Sequence, residues 1–370
     1  MAIDKVTCLV DGRWMFGRVR GMGRFARQMI MPIESQCLLA TSSAAETPAS
    51  GQVIKRGASF FPLWEQKTFP LIAESENIRW LLCPYNTAPL CLKNVRLILV
   101  VHDLIFMESW RYLPPSISLY QNLGRIYRRF IVPHAIKKAD FLVTVSEYTK
   151  NLIVEHYGVE PDRVTVIPNA LDASWFSLNA PKIAQRERYI LTVAGEAPSK
   201  NVRRLLHAFS LYAHKVSSPC ELKIVGISQA KHAVFRKLCE KLKVEHLVHF
   251  IGYVNDEELK GLYLRARAFV FPSLYEGFGI PLLEAMATGC PIACSNTTSL
   301  PEVVGHSALL FDPRKVADMA ETIQLILDDD ILAGSLAENG YERVRKFDLE
   351  HVMQGFENFW RKLGFELDGR

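Results

Sequence analysis

Short runs of apolar residues alternate with helical stretches along almost the whole chain, and this alternation stops once and then restarts. Before the break, the runs expected to form strands are 6–10, 78–83, 95–101, 140–145 and 164–168. After the break they are 189–195, 221–226, 248–254, 268–273 and 291–295. Continuous apolar strands separated by helices are typical of a parallel sheet covered on both faces. The sequence therefore predicts an α/β fold with two doubly wound, Rossmann-like parallel-sheet domains.

The break lies at residues 173–188, where Pro, Asn and charged residues mix without a period, as in a linker. A chain of 370 residues is also too long for one ordinary core. We expect residues 1–175 and residues 185–348 to form two domains with a cleft between them. The last helical stretch, about 349–365, is amphipathic, and we expect it to pack back on the first domain.

The composition is 49% apolar and 22% charged, and no run of 18 apolar residues could span a bilayer. The N-terminus MAIDKVTCLV predicts a strand rather than a signal peptide, because charges interrupt its apolar run. We therefore expect a cytoplasmic protein. The eight cysteines are scattered and lack a C-x-x-C pair, so neither a zinc site nor a disulfide framework is indicated.

The net charge of +5 comes from the first half of the chain. Its densest basic stretch, Arg125 to Lys138, carries Arg125, Arg128, Arg129, Lys137 and Lys138 and no acidic residue. Such a helix either lies on the anionic inner surface of a membrane or presents an ordinary solvated face, and the charge alone leaves both interpretations open. A charge this modest, without a recognition motif, argues against nucleic acid as a partner.

The stretch 269–289, FVFPSLYEGFGIPLLEAMATG, predicts a buried strand, a glycine-containing turn and a helix. Backbone amides near residues 278–282 and the helix dipole would converge on one point, which suits a pyrophosphate. Glu276 precedes the turn, and Glu284 is expected in the first turn of the helix. We expect both carboxylates to flank one ligand and to accept hydrogen bonds from sugar hydroxyls.

The longer segment PSLYEGFGIPLLEAMATGCPIACSNTTSLPEVVG resembles the signature of the family 4 retaining glycosyltransferases, which have the GT-B fold. Further pieces follow in family order: RGMGRF (20–25), VHDLIF (101–106), TVSEYTK (144–150), VIPNALD (166–172), SKNVRRLLHAF (199–209), KIVG (223–226) and FIGYV (250–254). The resemblance covers nearly the whole chain. It implies transfer of a sugar from a nucleotide-sugar donor to an acceptor hydroxyl, with residues 185–348 as the donor-binding domain and residues 1–175 as the acceptor-binding domain.

The resemblance also implies roles for individual residues. Glu276 would contact the donor sugar, Glu284 the ribose hydroxyls, and Lys200 would neutralise the pyrophosphate. Glu276, Lys200 and His102 are the expected catalytic residues. The remaining positions expected to bind the donor are Gly23, Gly226, Tyr253, Val254, Phe278, Gly279, Ile280, Pro281 and Leu282.

Several polar residues of the first domain follow predicted strands. His102 and Asp103 end the run 95–101, at the carboxyl edge where doubly wound sheets bind ligands, so we expect contact with a sugar or the acceptor. Ser146 and Asn169, at later strand ends, are expected to line the same wall. Gly21, Gly23 and Ala26 match a dinucleotide fingerprint, but they follow their strand too late for it. Close approach to the donor diphosphate is the better interpretation of Gly23.

One departure from the family pattern bears on the donor. The family often places Arg directly after the glycine of VAG, and this chain has Glu196 there. A related subgroup that builds surface polysaccharides, such as O-antigens, also lacks that Arg and tends to use GDP-mannose. The resemblance therefore favours an α-mannosyltransferase that uses GDP-mannose and a saccharide or lipid-linked saccharide acceptor.

No carboxylate cluster suits a divalent cation. The triplet Asp328–Asp330 matches a D-x-D metal motif by its letters, but we expect a solvated helix end there. We therefore expect no metal site and no cofactor, and stabilisation of the leaving diphosphate by Lys200 and helix amides.

The favoured mechanism is attack by the acceptor on the face from which the diphosphate leaves, which retains the anomeric configuration. The alternatives are a UDP-sugar-dependent transferase of the same fold, a GT-B epimerase or phosphorylase, and a non-catalytic two-lobed nucleotide-sugar binding protein. A phosphorylase would need a pyridoxal site, which is not evident. The presence of Glu276, His102 and Lys200 together argues against a binding protein.

Overall fold

The computed structural model describes residues 7–16, 21–45, 52–115, 119–176 and 180–368. These residues separate into two compact units. The first holds the described residues within Met1–Glu108, Ile117–Ala170 and Glu350–Arg370, and the second those within Ser109–Ser116 and Leu171–Leu349. Each unit is built on one sheet whose described strand pairings are all parallel. The predicted pair of doubly wound α/β domains is confirmed.

The first sheet has seven strands in the order β3-β2-β1-β4-β5-β6-β7. They are β1 (Cys8–Asp11), β2 (Cys37–Thr41), β3 (Val53–Lys55), β4 (Trp80–Cys83), β5 (Arg96–Val101), β6 (Phe141–Thr144) and β7 (Val164–Val166). Its centre is apolar and buried; Leu9 lies opposite Leu38 on one side and Leu81 on the other. The sequence patterns did not predict β2 and β3, which are short and only partly buried.

Helices α1 to α5 connect these strands. They are α1 (Gly21–Ile30), α2 (Phe61–Leu63), α3 (Phe69–Ser75), α4 (Leu119–Lys138) and α5 (Glu147–Tyr157), and a π-helical turn, Trp64–Thr68, joins α2 to α3. The ends of α5 show how the sequence sets such bounds. The Ser146 hydroxyl accepts a hydrogen bond from the Thr149 amide at 3.2 Å, and Gly158, with φ of 63°, ends the helix in the left-handed conformation.

The second sheet has six strands in the order β10-β9-β8-β11-β12-β13. They are β8 (Glu187–Val193), β9 (Glu221–Val225), β10 (Val248–Ile251), β11 (Ala266–Phe271), β12 (Ile292–Ser295) and β13 (Ala308–Phe311). The helices are α6 (Val202–Lys215), α7 (Gln229–Lys241), α8 (Asp256–Arg265), α9 (Ile280–Ala287), α10 (Leu300–Val304), α11 (Val316–Asp328) and α12 (Asp330–Val344). Strand β13 and helix α12 were not among the predicted elements.

The last helix, α13 (Leu349–Lys362), belongs to the first unit. The indole nitrogen of Trp360 donates to the carbonyl oxygen of Met29 at 2.7 Å. The ring of Phe356 meets Phe25 of α1 edge-on, with centroids 5.2 Å apart. Burial of these rings anchors α13 on the first unit after the chain has passed through the second.

Two places in these sheets are topological switch points. In the first sheet β1 and β4 are neighbours, but the chain continues from them to opposite sides of the sheet. In the second sheet β8 and β11 have the same relation. The loops that follow two such strands diverge and leave a crevice at the carboxyl edge, where open α/β sheets bind ligands. The relevant loops are 12–16 and 84–87 in the first unit, and 194–200 and 272–279 in the second.

One sequence expectation needs correction. The stretch 173–188 is not a free linker where it is described, because Trp175 is buried against Tyr263 and the guanidinium of Arg186 donates to five backbone carbonyls of the second unit. As expected, the triplet Asp328–Asp330 lies at an exposed helix end, that of α11. Asp329 also caps α12 by accepting from the Leu332 amide at 2.8 Å, and Asp330 pairs with Arg267. Residues 1–6 of the predicted N-terminal strand, residue 20 of RGMGRF and residues 177–179 of the predicted linker lie outside the described ranges.

Candidate functional site

The loop between β11 and α9 occupies the switch point of the second sheet. Gly279 has φ of +117°, and a Cβ there would lie 2.9 Å from a methyl carbon of Leu300, so only glycine fits without strain. The Ser299 hydroxyl lies within hydrogen-bonding distance of the carbonyl oxygens of Glu276 and Phe278, at 3.1 and 3.0 Å. Contacts from the β12–α10 connection thus fix the shape of the loop.

Lys200 and Glu276 meet at this switch point. Lys200 follows β8 and Glu276 follows β11, and the ammonium nitrogen lies 2.6 Å from a carboxylate oxygen. Both side chains keep contact with solvent. The loops that carry them are joined by a hydrogen bond from the Leu274 amide to the carbonyl oxygen of Ser199 at 2.7 Å. The structure therefore brings together the predicted phosphate-binding cation and the predicted sugar-binding carboxylate.

Glu284 is a buried carboxylate on α9. It is the fifth residue of the helix, so it lies in the second turn rather than in the predicted first turn. One of its oxygens lies 3.1 Å from the hydroxyl of Tyr263, a fully buried side chain on α8. Burial raises the pKa of Tyr263 well above its ordinary value, so this hydroxyl keeps its proton and donates it. Tyr263 thereby fixes the orientation of Glu284.

The predicted amide donors at the start of α9 are not equivalent. Pro281 has no amide hydrogen, and the Leu282 amide donates to the carbonyl oxygen of Gly279 at 2.9 Å. The side chains of Leu282 and Phe278 are buried, the latter against Phe347 with centroids 5.7 Å apart. In this segment, the backbone amides that we expect to donate hydrogen bonds to phosphate are thus those of residues 278–280.

Other predicted donor positions line the same edge of the second sheet. Gly226 follows β9 with φ of +96°, and a Cβ there would lie 2.7 Å from the carbonyl oxygen of Ala194. Tyr253 and Val254 follow β10, and Tyr253 is exposed. Glu196, which stands where the family often has Arg, accepts hydrogen bonds from the amide, at 3.2 Å, and the hydroxyl of Ser228.

His102 follows β5 in the first unit and is buried. Its ring nitrogen Nε2 lies 2.9 Å from the carbonyl oxygen of Pro84, which can only accept, so Nε2 carries the proton. The ring of Phe25 covers it edge-on at 5.1 Å. Burial lowers the pKa of His102 to about 4, so the imidazole is neutral near pH 7. The side chain of Asp103 accepts from the Ile105 amide at 3.0 Å.

The other predicted positions of the first unit are buried. Ser146 is the N-cap of α5, and Asn169 is buried after β7. Gly23 is the third residue of α1 and is buried, so it lies in the first turn of that helix.

Known family models match both halves of the chain. The family model "Glycosyl transferases group 1" matches residues 174–343, and "Glycosyltransferase Family 4" matches residues 55–175. The O-antigen chain mannosyltransferase B of Escherichia coli is 30% identical over 276 residues, which cover 72% of this chain and 71% of that protein. The chain belongs to the family 4 glycosyltransferases.

Two further relatives of this family 4 glycosyltransferase are mannosyltransferases by name. The O-antigen chain mannosyltransferase RfbU of Salmonella typhimurium is 32% identical over 64% of each chain. The serotype-specific mannosyltransferase WbdA of Escherichia coli is 29% identical over 71% of this chain, which spans only 33% of WbdA.

Solved structures confirm the GT-B fold of this glycosyltransferase. Sucrose-phosphate synthase from Thermosynechococcus elongatus aligns with a TM-score of 0.74 at 19% identity, over 97% of this chain and 98% of that one. Anabaena HepE, solved with UDP and glucose, aligns with a TM-score of 0.72 at 16% identity, over 96% of this chain and all of HepE.

Sequence reasoning missed a charged cluster at the switch point of the first sheet. The Arg13 guanidinium binds both carboxylate oxygens of Asp11, with Nε 2.8 Å from Oδ1, and lies 3.8 Å from Glu65. All three side chains are buried or nearly so. The run VDGRW (10–14), at the end of the first strand, carries a local signal, but nothing in the sequence links it to Glu65, which lies far along the chain.

The glycosyltransferase shows no group of three or more metal-ligating side chains among its described residues. Within the same residues, no helix is long and apolar enough to cross a membrane.

The basic helix α4 differs from its sequence expectation. Arg125 and Arg129 turn inward and donate to the carbonyl oxygen of Glu108 at 2.5 and 3.0 Å, and Lys138 donates to that of Leu90. The outward face is apolar instead. Its side chains are 56–79% exposed and are Leu119, Tyr120, Leu123, Ile126 and Phe130, called the apolar stripe below.

Proposed function

We propose that this family 4 glycosyltransferase is a retaining α-mannosyltransferase that transfers mannose from GDP-mannose to a saccharide or lipid-linked saccharide during synthesis of an O-antigen-type polysaccharide. The observation that carries the proposal is the Lys200–Glu276 pair at the switch point of the second sheet, beside the start of α9. The names of the relatives, which are mannosyltransferases of O-antigen chains, support the sugar and the polymer.

The proposed reaction exchanges one bond for another at the anomeric carbon. The bond from that carbon to the phosphate oxygen breaks, and the acceptor oxygen bonds to the carbon from the same face. The acceptor proton passes to the departing phosphate, so no separate base is required. Lys200 and the amides at the start of α9 stabilise the charge that develops on the diphosphate. Glu276 stabilises the sugar as it gains positive character.

Donor binding must then divide an existing ion pair. Lys200 is already neutralised by Glu276 at 2.6 Å, so an incoming diphosphate takes over the ammonium and leaves the carboxylate free for sugar hydroxyls. Before the donor binds, the carboxylate of Glu276 neutralises Lys200, so the ligand-free site holds no unpaired lysine.

The donor base is tested by thermal-shift titration with GDP and UDP. Stabilisation by GDP supports the proposal, and stabilisation by UDP alone moves the enzyme to the UDP-sugar alternative, as the UDP complex of HepE illustrates for this fold. Hydrolysis of a nucleotide-sugar panel without acceptor distinguishes an enzyme from a binding protein. NMR of the product linkage tests retention, and excess EDTA tests the proposed independence from metal.

We also propose that α4 contacts the inner membrane surface, through the apolar stripe rather than through Arg125 and Arg129. Exposed apolar side chains at helical spacing insert into the headgroup region, while Arg128 and Lys137 lie on the same helix and attract anionic lipid. Sedimentation with vesicles of phosphatidylglycerol and phosphatidylcholine tests this. Leu123→Ser with Phe130→Ser should abolish binding, whereas Arg125→Gln should change it little; the reverse order would contradict the proposal.

A further inference from the structure

The loop after β1 carries an exposed tryptophan at the switch point of the first sheet. Trp14 is 55% exposed, three residues beyond the end of β1. Its ring meets Tyr85, which follows β4, edge-on with centroids 6.3 Å apart. Trp14 and Tyr85 thus come from the two loops that diverge at this switch point, where an open sheet binds its ligand.

The backbone around Trp14 is fixed at both ends. The Gly12 amide donates to the carbonyl oxygen of Ala40 at 2.9 Å, and the Met15 amide donates to that of Gly12 at 3.0 Å. The guanidinium of Arg27, on α1, donates to the carbonyl oxygen of Met15 at 2.8 Å. A large aromatic ring that is exposed on a fixed loop loses little conformational freedom when it binds a ligand.

The charged cluster reinforces the same loop. The Arg13 guanidinium lies 4.1 Å from the ring centroid of Phe61 and 4.3 Å from that of Trp64, so it is held between aromatic faces as well as by Asp11. Its neighbour Glu65 accepts hydrogen bonds from other parts of the unit.

Glu65 connects this cluster to the loop after β4. It accepts from the hydroxyl of Thr87 in that loop, and from Tyr127 and Gln66 at 2.6 and 2.9 Å. Burial raises the pKa of Glu65, and these hydrogen bonds and Arg13 oppose that rise. The cluster therefore ties together the two loops that carry Trp14 and Tyr85, and its own charges are satisfied internally.

We propose that Trp14 is the platform on which a pyranose ring of the saccharide acceptor stacks. The inference rests on the proposed function, which assigns the donor to the second unit. A pyranose presents a face of C–H groups that packs on an indole, and its hydroxyls stay at the ring edge for water or protein. A fixed and exposed indole at the ligand-binding edge of the first sheet fits that face.

The test uses the full chain with saturating GDP, and α-1,3-linked mannobiose and methyl α-mannoside as probes. Isothermal titration should show that Trp14→Ala weakens binding of the disaccharide by at least about tenfold, the scale of a central aromatic contact. Trp14→Phe, which keeps an aromatic face, should recover part of the affinity. Tyr120→Ala is the matched control, because it removes an exposed aromatic ring from α4, and it should bind like the parent.

Donor-side readouts separate this inference from the proposed function. Trp14→Ala should bind GDP and hydrolyse GDP-mannose without acceptor at the parent rate. If the parent binds GDP but no probe saccharide, or if Trp14→Ala binds the probes like the parent, the platform is wrong while the donor assignment stands. If Trp14→Ala weakened the binding of GDP as much as that of the disaccharide, the role of Trp14 as a saccharide platform would also be contradicted. If the parent neither binds nor hydrolyses any nucleotide sugar, the proposed function itself fails.

Discussion

The two switch points have the same topology but differ in the burial and pairing of their charged side chains. In the first unit Asp11, Arg13 and Glu65 form a buried cluster whose hydrogen bonds are made within the unit. In the second unit Lys200 and Glu276 form one pair that keeps contact with solvent. A buried and satisfied cluster holds loops in place, whereas an accessible pair can exchange partners with a charged ligand. We infer that the crevice of the first unit is held fixed and suits a neutral saccharide. In the second unit the charged pair can exchange partners, which suits a diphosphate.

The largest expected effect is on stability and distinguishes the two clusters directly. Arg13→Met leaves two carboxylates buried without their cation, which should lower the free energy of unfolding by about 3–5 kcal/mol. Lys200→Met removes one partner of a more accessible pair and should cost about 1 kcal/mol or less. Urea unfolding followed by circular dichroism measures both. Equal losses would erase the distinction between the two switch points.

Glu276 should affect turnover rather than folding. Glu276→Ala removes a group that acts as the sugar gains positive charge, so kcat should fall by about 10²- to 10³-fold. Its melting temperature should stay close to that of the parent. Steady-state kinetics with the natural nucleotide sugar measure the first effect and calorimetry the second. Near-normal turnover by Glu276→Ala would contradict the assignment of the donor site to the loop between β11 and α9.

Because His102 is neutral in the folded chain, we predict that the stability of the first unit depends on pH. Its pKa is about 4 in the folded chain and 6.5 in the ordinary reference state, so the unfolded chain binds more protons between these values. The stabilisation is complete above pH 6.5 and is lost as the pH falls toward 4, by about 3 kcal/mol.

Urea unfolding at pH 7.5, 6 and 5 tests the His102 prediction, and His102→Gln should show a smaller decrease in stability over that range. An NMR titration that placed the pKa of His102 near 6.5 would contradict it independently of the variant.

Glu284 should affect nucleotide binding alone. If it binds the ribose, Glu284→Ala weakens binding of the nucleoside diphosphate by about 1.5–3 kcal/mol, the scale of hydrogen bonds to a charged group. Tyr263→Phe removes only the hydroxyl that orients Glu284 and should have a smaller effect in the same direction. Titration with the 2′-deoxy nucleotide provides the control, since both variants should discriminate less against it. If Glu284→Ala discriminated against the 2′-deoxy nucleotide as strongly as the parent does, Glu284 would not bind the ribose.

Sequence patterns predicted the parts of this fold that are locally encoded. The apolar run before residue 272, the glycine at 279 and the helix after it specify a strand, a left-handed turn and a helix within one short segment. Strand order is not encoded locally, so the sequence did not single out Trp14 and Tyr85 as neighbours or connect Arg13 to Glu65. The inward turn of Arg125 likewise depends on a carbonyl 17 residues away, which no charge count reveals.

We expect Lys200 and Glu276 to exchange partners when the donor diphosphate binds. Isothermal titration of GDP into the parent, Lys200→Ala and Glu276→Gln tests it most directly. We expect Lys200→Ala to bind GDP at least about tenfold more weakly, since a hydrogen bond to a charged group is lost. Glu276→Gln should bind as well as the parent or more tightly, because Lys200 no longer has to leave a carboxylate. Parent-like binding by Lys200→Ala, or weaker binding by Glu276→Gln, would contradict the account.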